Sequence, residues 1–186
     1  MAGWRIGFCS GNAEMVRALP DDGKRYEVIA GELLVTPAPM PRHQLVQMRL
    51  IGALLPYLDR TREDLQLLAS PADISWDEDT LVQPDLFVVP KSEMTNDWRT
   101  YKTLVLAVEI LSPSSARADR VLKRRLYQAQ HVGAYWIVDA EAAVVEVWRP
   151  GDERPEVVTD VLRWRVSEPA AELAIPLAEL FADLPS

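Results

Sequence analysis

Two apolar runs, close together in the chain, each carry one carboxylate, and this pair constrains the fold more than any other feature. Residues 80–90 read TLVQPDLFVVP with Asp85 inside, and residues 103–111 read TLVLAVEIL with Glu109 inside. Runs rich in Val, Leu and Phe, bounded by proline and polar residues, predict buried strands. Desolvating an unpaired carboxylate in such a strand costs on the order of several kcal/mol. Two in succession call for a shared compensation, either a bound cation or a facing Lys or Arg. The plainer alternative for each is an ordinary ion pair, or a strand-end position open to water.

The rest of the chain is consistent with one domain. Its 186 residues suffice to close a core, and 48% hydrophobic with 26% charged residues is globular and excludes a disordered chain. A net charge of −8 argues against a non-specific coat on nucleic acid or anionic membrane, without excluding a local basic surface. The lone Cys9 permits no internal disulfide and fits a reducing compartment. No run approaches a membrane span, and the start MAGWRIGFCSGN has no signal-peptide core. A cytoplasmic protein with no membrane partner is the expectation.

Along the chain, residues 11–20 suggest a short helix and RYEVIAGELLVT (25–36) a hairpin turning at Ala30-Gly31. After the stiff PAPMP, a helix is expected from Arg42, burying Leu45, Met48, Ile51, Leu55 and Leu58, with Gly52 and Pro56 weakening its last turns. LQLLAS and ADISW predict strands, and Pro84 predicts that the Asp85 strand lies at an edge or is bulged. SPSS (112–115) signals a helix start. The helix that follows, ending near Gly133, is expected to bury Leu122, Leu126 and Ala129 and to carry a basic stripe of Arg117, Arg120 and Arg124. That stripe suits phosphate contacts and equally suits a solvated face balancing nearby acids. YWIVD and VVEVWRP predict strands joined by AEAA, with Asp139 in a structural turn role; a β-rich tail and a closing helix follow. The order implies an α/β sandwich around a mixed sheet.

Lys123 lies twelve residues past Leu111, in line with Asp119 and Tyr127 at four-residue spacing. A helix packing back on its own strand can bring it toward Glu109. Two carboxylates, a backbone carbonyl and waters would suit Mg²⁺. An ammonium beside them can orient water or neutralise a developing oxyanion.

RYEVIAGEL, PRHQLV, DEDTLVQPDLFVV, LAVEILSPSS, DRVLKRRLY and GAYWIVDAEAAVVEVWRPG occur here in this order. In this the chain resembles the Uma family of candidate restriction endonucleases, within the PD-(D/E)XK nuclease superfamily. The resemblance covers about residues 25–150, leaving 1–24 as an extension of a single nuclease-like domain. It implies a restriction-endonuclease-like α/β core, hydrolysis of DNA with Mg²⁺ (or Mn²⁺), and pairing of two copies. It makes Asp85 the acid of the PD motif and Glu109 the acid of the (D/E)XK motif. The motif's lysine position falls on Leu111, and Lys123 from the next helix stands in. Glu32 matches the family's first acid and is expected on the metal with Asp85 and Glu109; His43 matches an accessory histidine. The alternative function is a nuclease-fold protein without activity, serving as a dimeric binding or assembly module. A weaker third is a glycosidase-like acid–base pair, for which no sugar-stacking aromatic cluster is evident.

Overall fold

The structure, a computed structural model, describes residues 11–20, 22–61 and 63–185, so the readings of Cys9 and of the chain start lie outside the described residues. A short helix α1 (Ala13–Arg17) precedes the hairpin of β1 (Arg25–Ile29) and β2 (Glu32–Thr36). Ala30 and Gly31 take φ of 50° and 78°, the positive values that a two-residue turn matched to strand twist demands. Helix α2 (Pro41–Thr61) then runs unbroken past Gly52 and Pro56.

Six strands form the central sheet: β3 (Leu65–Ala69), β4 (Leu86–Pro90), β5 (Leu106–Ile110), β6 (Tyr135–Asp139), β7 (Val144–Trp148) and β8 (Glu156–Val158), in that spatial order. Neighbours are antiparallel except β5 and β6, which are parallel. Parallel neighbours need a crossover, and here it contains a π-helical segment (Ala118–Lys123) that continues as α3 (Arg124–Ala129). Gly133 closes the crossover, because a Cβ there would sit 2.7 Å from the Val105 carbonyl oxygen. A hairpin of β9 (Val161–Trp164) and β10 (Leu173–Pro176) with α4 (Leu177–Leu180) completes the chain.

Strand alternation divides the core between the two faces of the sheet. Leu86, Val88, Leu106, Val108 and Trp136 meet α2 and the β9–β10 hairpin on one face. Phe87, Val89, Ala107, Tyr135 and Ile137 meet Tyr127, Tyr101 and Ile29 on the other. Covering both faces explains why β4 and β5 lack the apolar–polar alternation of half-exposed strands. Among the described residues, no helix is long and apolar enough to cross a membrane.

Four expectations are corrected. ADISW is not a strand; it contributes only an Ile74–Val82 bridge. β4 is an interior strand beginning at Leu86, so Pro84 precedes the ladder and needs no edge or bulge. On α2 the buried side chains are His43, Val46, Leu50, Leu54, Tyr57 and Leu58, whereas Leu45, Met48 and Leu55 are exposed. Apolar residues surround most of this helix, so spacing alone could not choose its inward face. In the crossover, Ala129 is exposed and Leu122 and Leu126 are half-buried; the fully buried residues are Asp119, Lys123 and Tyr127.

The α2 assignment is tested by paired truncations. Leu50→Ala is expected to cost about 2–5 kcal/mol, and Met48→Ala under about 0.5 kcal/mol, in urea melts of dilute protein. Equal losses would contradict it.

Candidate active site

The sheet register delivers the two acids to one place. Leu86 pairs with Val108 across the antiparallel β4–β5 ladder, so Asp85, one residue before β4, reaches the far end of β5. There the Ile110 N–H donates to Asp85 Oδ2 at 2.8 Å. Glu109 projects on the opposite face to Val108 and Ile110, toward the crossover helix, where the Tyr127 hydroxyl donates to its Oε1 at 3.1 Å. β1 contributes Arg25 and Glu27, and α2 contributes His43 near its start. A cavity of about 30 Å³ is lined by Arg25, Glu27, His43, Asp85, Glu109 and Lys123, with Ser112 and Ser115 beside them. That volume holds an ion or a water or two; a nucleotide would have to stay at its mouth.

Lys123 is the centre of the charge arrangement. Its Nζ lies 2.9 Å from Glu27 Oε2, 3.1 Å from Glu109 Oε1 and 3.2 Å from Asp119 Oδ1, with every one of these side chains at most 2% exposed. Burial would lower the Lys123 pKa, but Glu109, Glu27 and Asp119 reverse this and raise it well above the lysine range. Glu109 is pushed well up, first by burial and then by Asp119, Asp85 and Glu27, against the pull of Lys123. Asp85 goes the other way. Burial would raise it, but the hydrogen bond from His43 (2.9 Å), the Arg25 guanidinium (2.8 Å) and the Ile110 N–H hold it at about 2. Four buried carboxyl groups thus face two permanent cations, Lys123 and Arg25, so buried acid outnumbers buried base.

Asp85, Glu109, Lys123 and His43, all singled out from the sequence, meet at this cavity. Glu32 does not. It is exposed and pairs with Ile29 in the last rung before the hairpin turn; the hairpin carboxylate at the cavity is Glu27, directly opposite Leu34. Glu27 carried the same signal as Asp85 and Glu109, an acid inside the apolar run YEVI, and Glu32 drew attention only by following the turn glycine. Arg25 was missed for want of any strand-partner signal. The arginine stripe is also elsewhere. Arg120 is paired with Asp139 (2.9 Å) and Glu146 (2.6 Å), and Arg124 lies 4.8 Å over the Trp148 ring. Arg117 is exposed, and none of the three lines the cavity.

The donor set fits a hard divalent ion in kind and in charge. The three acids at the cavity, Glu27, Asp85 and Glu109, offer oxygen only and outnumber its two permanent cations, and the Lys123 and Tyr127 contacts of Glu109 both fall on Oε1. The set is not preassembled: among the described residues no three His, Cys, Asp or Glu are arranged to hold a metal ion. The physical reason is that Lys123 and Arg25 occupy the spaces between the acids.

Asp85 just before β4, Glu109 on the adjacent β5 and Lys123 from the crossover thus come to one cavity on a mixed α/β sheet. The crystal structure of a putative nuclease belonging to DUF820 from Anabaena variabilis superposes with a TM-score of 0.76 over 94% of this chain and 99% of that one, at 19% identity. The model of the Uma2 family, described as "Putative restriction endonuclease", matches residues 13–178, and the chain belongs to that family. No curated protein matches the chain.

Two expectations follow. In metal-free buffer, Glu109→Gln removes one of the surplus buried acids and is expected to melt at or above the wild-type temperature, while Lys123→Met, stranding three acids, loses about 3–5 kcal/mol; a marked loss in Glu109→Gln would contradict the surplus. Because the folded pKa of Asp85 is depressed to about 2, below the ordinary aspartate value of ~3.9, its contribution is present above pH ~4 and lost as pH falls toward ~2. Asp85→Asn is therefore expected to flatten the acid limb of stability by on the order of 2 kcal/mol, measured by urea melts across that window; an unchanged acid limb would contradict it.

Proposed function

We propose that this protein is a metal-dependent endonuclease that hydrolyses phosphodiester bonds of DNA, with Mg²⁺ or Mn²⁺ held by Asp85, Glu109 and Glu27. The observation that carries this is the meeting of a low-pKa Asp85, a high-pKa Glu109 and the buried Lys123 ammonium on one small wet cavity. Paired carboxylates of opposite pKa tendency are the arrangement that separates ligand from proton-handling roles. A divalent ion there would lower the pKa of bound water and steady charge on the phosphoryl oxygens. Asp85, kept ionised by Arg25 and His43, anchors the cation end of the site. Lys123, whose ammonium is fixed by three acids, holds a positive charge where negative charge would build on the phosphate, with no reorganisation during reaction. Glu109, which lines the same space and whose carboxyl pKa is pushed upward by burial, can take or release a proton there. The cavity admits ion and water only, so the phosphodiester would lie across its rim at Thr36, Pro37 and Pro39. Pairing of two copies belongs to the same reading.

One observation favours a second reading, a nuclease fold kept as a binding or assembly module. Lys123 is already fully engaged, and no metal-ready trio is present among the described residues. Absence of any Mg²⁺ or Mn²⁺ binding by calorimetry would favour it.

Wild type is expected to nick or linearise plasmid DNA in Mg²⁺ and not in EDTA. Asp85→Ala and Glu27→Gln are expected to reduce the rate at least about 100-fold with folded circular-dichroism spectra retained, whereas Glu32→Gln is expected to cleave as wild type. Full activity in Asp85→Ala, or loss confined to Glu32→Gln, would overturn the assignment.

A further inference from the structure

Among the described residues, the outward face of α2 packs against no other element. From Pro41 to Pro56 its exposed residues are Pro41, Gln44, Leu45, Met48, Gly52, Leu55 and Pro56, none of them charged. Met48 is 64% exposed, and Leu45, Leu55 and the preceding Met40 are also among the exposed large apolar side chains of the described surface. The two arginines of this stretch turn away: Arg42 donates to the Pro185 carbonyl and Arg49 to those of Leu180 and Ala182. A charge-free strip of four turns is out of keeping with a chain carrying 26% charged residues and a net charge of −8. Single exposed apolar residues need no explanation, but a contiguous strip marks a contact surface.

Leu45, Met48, Gly52 and Leu55 follow three-, four- and three-residue spacing, the seam of a helix that packs on another helix. The seam is also self-complementary when reversed. Two antiparallel copies related by a two-fold axis at the level of residue 50 set Leu45 against Leu55 and Met48 against Gly52. The long methionine side chain then falls over the position without one, twice, and the open space around Gly52 receives it, since a Cβ there would meet nothing within 4 Å of its own chain. The same register brings Asp59, exposed at one end, beside Pro41 of the second copy, so no like charges meet along the strip. For two chains of net charge −8, this strip is where they can meet without burying like charges.

We propose that α2 is the self-association helix of this protein, and that two copies pair isologously and antiparallel through Leu45, Met48, Gly52 and Leu55. His43 projects from the inner side of the same helix into the candidate active site. Pairing in this register would place the two sites on opposite sides of the seam, offset by about 21 Å along the helix axis at 1.5 Å per residue. The surface itself is independent of whether the sites are catalytic, and its test reads mass, not cleavage.

Sedimentation equilibrium of the full chain over a wide concentration range is expected to give a dimer. Gly52→Leu, which meets open space within its own chain, and Met48→Glu are each expected to weaken dimerisation at least about 30-fold while circular dichroism and melting of the monomer stay unchanged. Leu45→Glu and Leu55→Arg are each expected to weaken the dimer. The double variant Leu45→Glu/Leu55→Arg, which sets opposite charges across the seam, is expected to recover most of the loss. A wild type that is monomeric throughout overturns the proposal. So does a dimer indifferent to Gly52→Leu and Met48→Glu, which would place the contact elsewhere. Failure of the double variant to recover overturns the antiparallel register.

Discussion

The structure depends on one buried ammonium. Lys123 reaches back from the crossover to the sheet and is gripped by acids from β1, from β5 and from its own helical segment. Each of these charges would cost several kcal/mol to desolvate alone, so the hairpin, the central strand and the crossover are placed by mutual necessity. Asp85 is held by a parallel device: Arg25 from the hairpin, His43 from α2 and the Ile110 amide from β5. The hairpin, α2, the start of β4, β5 and the crossover therefore all send polar groups to one cavity, and apolar packing on both sheet faces surrounds it.

Such a cluster is a poor way to gain stability. Replacing buried ion pairs by apolar side chains is often neutral or favourable, and this one carries more acid than base. The π-helical segment that bears Asp119 and Lys123 adds to this, since such segments are rare and concentrate at functional sites. Both features fit the proposed chemistry at the acids, and the description of the Uma2 family as "Putative restriction endonuclease" is in keeping with it.

Much of this was legible in the sequence. An acid inside an apolar run singled out Asp85 and Glu109 without coordinates, and the four-residue spacing of Asp119, Lys123 and Tyr127 pointed to Lys123, although the stripe expected to be buried on that helix was Leu122, Leu126 and Ala129. The hairpin turn was legible because Ala30-Gly31 sits between two alternating runs. What failed did so for physical reasons. Glu27 obeyed the same rule as the two chosen acids, but Glu32 was preferred for its place beside a glycine, and strand register, which no local pattern encodes, decides between them. The inward face of α2 was misjudged because its outward strip is equally apolar. Pro84 suggested an edge, whereas the ladder of β4 starts two residues later and never asks it for an N–H.

The central claim is that buried acid exceeds buried base at this cavity, with Glu109 pushed upward by burial and by its acidic neighbours, and that a divalent ion would favour its ionised form. Titration calorimetry of Mg²⁺ and Mn²⁺ near neutral pH, repeated in buffers of different ionisation enthalpy, measures it directly through the protons exchanged on binding. The expected result is saturable binding with release of about one proton per ion, and no proton release in Glu109→Gln. Binding without proton release, or no binding at all, would contradict the account.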